Sequence, residues 1–305
     1  MANTQQSLAE RRAARGSRRS AMMGEVRLTH PDRVYWADVG VTKEQLATYY
    51  TKVWKYMRPH VTGRVLALLR CPEGTEGQCF FQKHARTGVP TEFLHPVQEK
   101  GEKILAIDDL DGLIALVQGG ALEIHARGSS VDDRERADRL VFDLDPGPGV
   151  DFKEVAAAAR EVRKRLERVK LKSFVKATGG KGLHVVVPIA PAPWETAKDF
   201  AHAVAASMAE DEPARYLDTA AKARRENRIF VVYLRNSREA TAVVPYSSRA
   251  RAGAPVAMPL AWSELGGLKS GHQYTVQNAL ARLTRLRQDP WATFGKTKQK
   301  LPDFK

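Results

Sequence analysis

Two aspartates two residues apart, Asp143 and Asp145, lie in the otherwise apolar segment Leu140-Val141-Phe142-Asp143-Leu144-Asp145-Pro146. Side chains alternate between the two faces of a β-strand, so both carboxylates would point the same way with Cβ atoms ~6–7 Å apart. A divalent cation relieves the repulsion between two such carboxylates, and their hard oxygen ligands suit Mg²⁺ or Mn²⁺. The pair therefore predicts a metal site completed by substrate phosphates. An exposed Asp-Pro-Gly turn is the alternative.

A glycine-rich segment follows about thirty residues later and reads Lys176-Ala177-Thr178-Gly179-Gly180-Lys181-Gly182-Leu183-His184. It lacks the Walker pattern, and β-branched residues follow it, so it should join two strands rather than open a helix. Backbone N–H groups in such a turn, together with the Lys181 charge, make a cradle for a triphosphate. A plain hairpin turn is the alternative, and the acidic pair upstream favours the cradle.

A basic cluster lies further along the chain. Its members are Arg224, Arg225, Arg228, Arg235, Arg238, Arg249 and Arg251. Because arginine binds phosphate through two parallel hydrogen bonds, this cluster suits a nucleotide tail or a nucleic-acid backbone. A solvated strand edge is the alternative interpretation.

These segments need a scaffold of alternating strands and helices. Apolar periodicity predicts helices over Lys43–Met57, Leu113–Gln118, Phe152–Val169, Trp194–Asp211 and about Gln273–Gln288. Strands are predicted over Arg64–Arg70, Gln78–Gln82, Leu122–Ala126, Arg139–Asp145, Ser173–Ala177, Leu183–Ile189, Arg228–Leu234 and Thr241–Pro245. Asp151 and Glu154 form a capping box at the start of the third helix. The hairpins in this order indicate a sheet that is at least partly antiparallel.

The composition is that of a globular protein with an unusual charge. The chain has 305 residues, 43% hydrophobic and 28% charged, which excludes wholesale disorder, collagen and a coiled-coil rod. No apolar run approaches the ~20 residues of a membrane span. Lys and Arg number 49 against 35 Asp and Glu, a net charge of +14. This excess favours a polyanionic partner, nucleic acid before anionic membrane, with a solubility adaptation as the alternative.

The cysteines and histidines carry little predicted chemistry. Cys71 and Cys79 are too few for a disulfide framework, so we expect two packing thiols in a reducing cytoplasm. The eight histidines form no HExxH motif, which argues against a zinc hydrolase.

Several segments occur in the order typical of one known family. They are Leu28-Thr29-His30-Pro31-Asp32-Arg33, Cys79-Phe80-Phe81-Gln82-Lys83-His84, Glu123-Ile124-His125, Val141-Phe142-Asp143-Leu144-Asp145-Pro146-Gly147, Gly179-Gly180-Lys181-Gly182-Leu183-His184, Tyr233-Leu234-Arg235-Asn236 and Pro245-Tyr246-Ser247. From about Leu28 to Phe294 the chain resembles the polymerase domain of bacterial DNA ligase D, in the archaeo-eukaryotic primase superfamily.

The resemblance implies a fold and a domain layout. The fold would be α+β and archaeo-eukaryotic primase-like, with mixed or antiparallel central sheets flanked by helices. Residues 25–292 would form the primase-polymerase domain. Residues 1–24 would be a disordered basic tail, since they are Arg-rich and lack the apolar region of a secretory signal. Residues 293–305 would form a second basic tail.

The resemblance also implies a function. The family comprises template-directed nucleotidyltransferases that fill gaps at double-strand breaks during non-homologous end joining, often prefer ribonucleotides and favour Mn²⁺. By position, Asp143 and Asp145 would be catalytic metal ligands. His125, Thr178, Lys181, Arg225 and Arg249 would bind the incoming NTP or dNTP. Arg33 and Lys43 would bind a 5′-phosphate at a DNA end, and Phe80 or Phe81 would stack on a template base.

One departure from the family pattern concerns the metal site. The family has a third catalytic aspartate just ahead of Tyr-Leu-Arg-Asn, and here Val232 takes that position. Losing this ligand should weaken the metal nearest the primer 3′-hydroxyl and leave a two-metal Mn²⁺ or Mg²⁺ site incomplete. A smaller departure is Arg127, where relatives usually carry an aromatic residue.

Two hypotheses follow for the function. The chain is a metal-dependent end-joining polymerase with reduced activity, or it is a catalytically impaired module that binds ends and nucleotide and bridges breaks. We expect DNA ends and nucleotides as ligands, a bacterial cytoplasmic location at the nucleoid, and no membrane partner. No Lys-x-Asp-Gly ligase motif is present, so an ATP-dependent DNA ligase and Ku would act from separate chains.

Overall fold

The structure is a computed structural model that describes residues 20–85, 88–221 and 224–302. Its strands are β1 Ser20–Met23, β2 Val26–Thr29, β3 Val34–Trp36, β4 Val41–Thr42, β5 Leu66–Arg70, β6 Phe80–Gln82, β7 Gln98–Glu99, β8 Glu102–Lys103, β9 Ala121–Arg127, β10 Arg136–Pro146, β11 Phe174–Ala177, β12 Leu183–Pro193, β13 Tyr216–Leu217, β14 Ile229–Val232, β15 Thr241–Val243 and β16 Pro259–Leu260. Its α-helices are α1 Lys43–Val61, α2 Leu110–Gln118, α3 Phe152–Arg168, α4 Trp194–Asp211 and α5 Ala279–Arg285.

Two sheets form the framework. One has six strands in the order β13-β14-β10-β12-β11-β16, and the other has four in the order β15-β9-β5-β6. Every pair of neighbours in the two sheets is antiparallel except β13 with β14, which is parallel. The predicted α+β class with mixed, mainly antiparallel sheets is therefore confirmed.

Helices α3 and α4 cover one face of the six-stranded sheet. Both pack against β10, whose Leu140, Phe142 and Leu144 are fully buried in the main core. Alternation along the strand then directs Asp143 and Asp145 to the opposite face. The fold thus separates the core of β10 from its carboxylates, as the sequence pattern predicts.

The helices with the clearest start signals in the sequence are present in the structure. Thr42 and Gln45 form a capping box at the start of α1, and Asp151 and Glu154 form the predicted one at the start of α3. Helix α4 has the predicted bounds. The last predicted helix, about Gln273–Gln288, is wrong in extent, because only α5 is α-helical there.

Both predicted tails contribute to the folded structure. Ser20–Met23, which lies within the predicted N-terminal tail, pairs with β2, and residues 1–19 of that tail lie outside the described part. Near the other end, Phe294 is buried, and the Gln299 side chain donates hydrogen bonds to the carbonyls of Lys172 and Pro188. The segment after residue 292 therefore lies against the domain as far as it is described.

The expectation of two packing thiols was wrong, because Cys71 and Cys79 form a disulfide. The sheet register gives the physical reason. Arg70 pairs with Phe80 in the antiparallel strands β5 and β6, so Cys71, which follows Arg70, faces Cys79, which precedes Phe80. Two cysteines so placed are close enough to bond, with Cα atoms 4.3 Å apart.

Within the described ranges, no helix is long and apolar enough to cross a lipid bilayer.

Candidate active site

The centre of the site is a row of side chains across four strands of the larger sheet. Lys176 on β11 lies opposite His184 on β12, His184 lies opposite Asp143 on β10, and Asp143 lies opposite Val232 on β14. Directly opposed residues in antiparallel strands share a face, with Cβ atoms about 4.5–5.5 Å apart. Val232 therefore stands beside Asp143, where a carboxylate would complete an acidic cluster.

Cationic side chains hold both aspartates. Arg235 donates from Nε to Oδ2 of Asp143 at 3.1 Å, and Nε2 of His184 lies 3.3 Å from Oδ1 of the same carboxylate. Arg225 donates from Nη1 to Oδ2 of Asp145 at 2.8 Å. The two carboxylates that could bind a metal each have a guanidinium partner.

The pKa directions reflect this arrangement. Burial alone would raise the pKa of Asp143, but its contacts with His184 and Arg235 outweigh burial and hold the pKa below its usual range. Burial and the charge of Asp143 raise the pKa of Asp145 despite the opposing effect of Arg225. Burial and the charge of Lys176 lower the pKa of His184 to about 4, so this imidazole is neutral near pH 7. The raised pKa of Asp145 reflects burial first and then the repulsion by Asp143, which a cation would relieve.

The glycine-rich loop joins β11 to β12, as predicted, and lies close to the acidic strand. Thr178 organises the turn, since its Oγ1 donates to the carbonyl of Gly182 at 2.9 Å and accepts from the N–H of Gly180 at 3.2 Å. A Cβ on Gly182 would lie 2.1 Å from the carbonyl oxygen of Leu144, so only glycine permits this approach. The loop backbone is thereby packed against the end of the strand that carries Asp145.

A cavity of about 500 Å³ opens above these residues. It is lined by both aspartates and by all five residues predicted to bind nucleotide, together with residues given no role by the sequence. These lining residues include His125, Asp143, Asp145, Thr178, Lys181, His184, Arg225, Val232, Arg235, Arg249 and Arg251. The fold therefore gathers residues spread over more than 120 positions into one cavity, while their individual roles stay predictions.

Glu123 connects the four-stranded sheet to this cavity. Its carboxylate contacts Nε2 of His125 at 2.9 Å and Nε of Arg249 at 3.0 Å, and it accepts the N–H of Ala250 at 3.0 Å. Burial would raise the pKa of Glu123, but His125 and Arg249 lower it to about 2. Arg249 also donates to the carbonyl of Thr178 at 2.6 Å. A buried carboxylate thus fixes two of the predicted nucleotide-binding side chains.

The residues predicted to bind a 5′-phosphate lie together but apart from this cavity. Arg33 donates from Nη1 to the carbonyl of Pro72 at 2.7 Å and to Glu73 at 2.9 Å. Lys43 is 3% exposed and donates from Nζ to the carbonyl of Thr29 at 2.9 Å. Burial and the charge of Arg33 lower the pKa of Lys43 to about 8. The two cations are close enough to interact, as a shared phosphate site requires.

The two predicted stacking aromatics lie on β6 and differ in their surroundings. Phe81 is 64% exposed and meets the ring of His125 edge-on at 5.9 Å between centroids. Phe80 is 42% exposed and lies under the guanidinium of Arg70 at 5.3 Å. Phe81 is therefore the better placed of the two to receive a base beside the cavity.

Sequence reasoning assigned no role to several residues of the site. In the sequence, His184 and Lys176 stand out only as parts of the glycine-rich motif, and Glu123 only as part of a family segment. The spacing of Glu123 and His125, two residues apart on a strand, was a usable signal because it puts both on one face. Arg127, the smaller family departure, forms a two-point contact with Glu99 at 2.9 and 2.8 Å and so anchors β7.

The donor set fits one divalent cation. Asp143 and Asp145 offer hard oxygen ligands on one face of β10, and phosphate oxygens and water can complete six-coordination. In the described part of the chain, no three His, Cys, Asp or Glu side chains are grouped so as to hold a metal. Val232 offers no ligand atom at the adjacent position. These residues could therefore hold one Mn²⁺ or Mg²⁺, but they lack a third protein carboxylate for a second ion.

The fold and site together define a primase-like protein: mainly antiparallel sheets, two aspartates on a central strand and a glycine-rich loop in the adjoining hairpin. The model of the LigD primase-polymerase domain family matches residues 42–291, and the chain belongs to this family.

Relatives and a solved structure agree with this assignment. The multifunctional non-homologous end joining protein LigD of Pseudomonas aeruginosa is 36% identical over 296 residues, which are 95% of this chain and 35% of that protein. The LigD protein of Mycolicibacterium smegmatis is 32% identical over 253 residues, 81% of this chain and 33% of that protein. The polymerase domain from Mycobacterium tuberculosis ligase D in complex with DNA superposes with a TM-score of 0.81 at 31% identity, covering 90% of this chain and 99% of that one. The chain spans about a third of the length of these curated relatives.

Proposed function

We propose that this chain is a metal-dependent, template-directed nucleotidyltransferase that fills gaps at DNA ends in non-homologous end joining. The observation that carries the proposal is the single cavity in which Asp143 and Asp145 meet all five residues predicted to bind nucleotide. The family assignment and the DNA-bound neighbour support it.

In the proposed reaction, the primer 3′-hydroxyl oxygen bonds to the α-phosphorus of the nucleotide and the bond to pyrophosphate breaks. Lys181 and Arg251 would neutralise the triphosphate, since both line the cavity. Arg249, held by Glu123 and Thr178, would bind phosphate without first having to be ordered. A bound Mn²⁺ or Mg²⁺ would supply charge neutralisation and activation of the hydroxyl.

Recognition of the end would fall to a separate region. Arg33 and Lys43 carry two interacting positive charges outside the cavity, and a terminal 5′-phosphate carries more negative charge than an internal one. Phe81 would stack on a template base without reading its identity. An ATP-dependent DNA ligase and a Ku protein would complete the repair reaction, which proceeds in the bacterial cytoplasm.

A second candidate function is favoured by Val232. Since this residue removes the third carboxylate from the row beside Asp143, the chain could bind ends and nucleotide and bridge breaks without efficient transfer. The two candidates share the cavity and differ only in catalysis.

Primer extension on a gapped duplex with a 5′-phosphate, Mn²⁺ and NTPs or dNTPs separates the candidates. We expect weak addition by the wild type, no addition by Asp143→Ala, and stronger addition by Val232→Asp. The matched control is Val232→Asn, which adds polarity without charge and should not gain activity. If Val232→Asp adds nucleotides and the wild type does not, the wild-type chain is a binding module. Equal activity of the wild type and Val232→Asp would refute the argument that Val232 weakens the metal site.

A further inference from the structure

The charge balance of the cavity differs from that expected for a site that depends on divalent cations. Among the described residues, its lining contains five cationic side chains, Lys181, Arg225, Arg235, Arg249 and Arg251, and two carboxylates, Asp143 and Asp145. With neutral histidines, the lining carries a formal excess of three positive charges, one of which, on Arg249, is also paired with Glu123 behind the lining. An ATP molecule without a bound metal carries about four negative charges, so the cavity complements it directly.

Each of the two carboxylates already has a guanidinium partner within the protein itself. Asp143 is bound by Arg235 and Asp145 by Arg225, at 3.1 and 2.8 Å. In a site of this kind a divalent cation usually has two effects, because it links carboxylates to phosphates and cancels their mutual repulsion. Here guanidinium groups supply part of the second effect.

Two other cations are available for the phosphates. Among the residues that the structure describes, Lys181 and Arg251 have no side-chain hydrogen bond or ion pair, and both are exposed at the cavity. A Cβ on Gly180 would lie 3.8 Å from the guanidinium carbon of Arg251, so this group lies over the glycine-rich loop. A triphosphate on the loop would therefore meet two unpaired positive charges.

Val232 is the residue that makes this balance possible. It lies directly opposite Asp143 and lines the same cavity. An aspartate there would have its Cβ about 4.5–5.5 Å from that of Asp143 and would add a third acid beside two that already occupy Arg235 and Arg225. The unpaired negative charge would repel a metal-free triphosphate and restore the need for a cation.

We propose that Val232 makes nucleoside triphosphate binding by this chain independent of divalent cations. The inference rests on the proposed function, because it assigns the same cavity to the same ligand. It concerns binding rather than transfer, so it holds for both candidate functions.

Calorimetric titration of the full chain with ATP, in excess EDTA and in Mn²⁺, tests the proposal. For the wild type we expect one site and dissociation constants within ~5-fold of each other, since both carboxylates are already paired with arginines. For Val232→Asp we expect the ATP dissociation constant in EDTA to be ~10-fold or more above that in Mn²⁺. Coulomb's law gives about this effect for one added negative charge within ~10 Å of a phosphate charge at an effective dielectric constant of ~20. Val232→Asn should behave like the wild type.

A double variant, Lys181→Ala with Arg251→Ala, checks the place of binding. It should lose the binding in EDTA. If it binds as the wild type does, ATP attaches elsewhere on a basic surface and the inference is wrong. Retained binding by Val232→Asp in EDTA would also overturn it, because Val232 would then not determine the cation dependence.

The outcomes separate this inference from the proposed function. Wild-type binding in Mn²⁺ but not in EDTA would refute cation independence and leave the nucleotidyltransferase proposal standing. Absence of binding under both conditions, with a normal circular dichroism spectrum, would refute both.

Discussion

Asn236 should be a main structural support of the site, although it binds no predicted ligand. Its Oδ1 accepts the N–H of Val141 at 2.8 Å, and its Nδ2 donates to the carbonyls of Val141 and Tyr233 at 3.0 and 2.8 Å. Strand β14 ends at Val232, so this side-chain amide replaces the next pair of hydrogen bonds along β10. The chain can therefore turn at Tyr233 and bring Arg235 to Asp143 without leaving β10 unpaired.

The variant Asn236→Ala removes three hydrogen bonds at a position that is 1% exposed. At about 1 kcal/mol for each bond, with a further penalty for the buried N–H and C=O of Val141, we expect a loss of at least about 3 kcal/mol in the free energy of unfolding. Urea denaturation followed by circular dichroism measures it. Nucleotide affinity should fall as well, since Arg235 precedes Asn236 in the same turn.

The matched control is Asn278→Ala. Asn278 is exposed, and its side chain accepts from the N–H of Thr275 and donates to the carbonyl of Gln273. Water can replace both bonds, so we expect a loss below about 1 kcal/mol. Equal losses for the two variants, or a loss below about 1 kcal/mol for Asn236→Ala, would refute the argument that Asn236 acts as part of the sheet.

Three further predictions concern other parts of the site. The pKa of Glu123 lies at about 2 in the folded chain, so the ionised carboxylate contributes up to ~3 kcal/mol to the free energy of unfolding. This contribution is complete above pH ~4.5 and is lost as the pH falls toward 2. Glu123→Gln should flatten this part of the stability–pH curve. Phe81→Ala should weaken binding to gapped DNA by ~1–3 kcal/mol. Phe80→Ala should weaken it by less, because Arg70 already covers that ring. Measured affinities of the two variants for gapped and nicked duplexes test this difference. Arg33→Ala and Lys43→Ala should each reduce the preference for 5′-phosphorylated ends. In the wild type that preference should fall as the pH rises through about 8, where Lys43 loses its charge, and competition between phosphorylated and unphosphorylated ends measures it.

The main features of the fold were predictable because they depend on local patterns. Two-residue alternation along β10 correctly separated Asp143 and Asp145 from Phe142 and Leu144, and the Asp151 capping box marked the start of α3. Such signals reflect hydrogen bonds and faces set within a few residues. The end of α1 at Val61, beyond the predicted Met57, shows how tertiary packing extends an element past its periodic signal.

The contacts between distant segments were not predictable from these patterns. Glu123 fixes His125 on its own strand and Arg249 from a segment more than 120 residues later, and only the folded sheets show that the two meet. The disulfide between Cys71 and Cys79 likewise depends on the register of β5 with β6, which an eight-residue spacing does not reveal. In both cases local sequence supplied the residues, and the tertiary structure selected their partners.

The same register decides what the substitution at position 232 means. Had β14 been shifted by one residue, Val232 would face the helices, and its apolar side chain would be an ordinary core residue. Because it lies opposite Asp143, the valine instead presents a hydrocarbon surface to the cavity and leaves Arg235 with one carboxylate to bind. Compared with an aspartate, the valine at this position removes a ligand for a second metal ion and leaves the cavity with one more net positive charge for binding phosphate. Restoring a carboxylate there should therefore increase nucleotide transfer in Mn²⁺ but weaken nucleotide binding when metal is withheld.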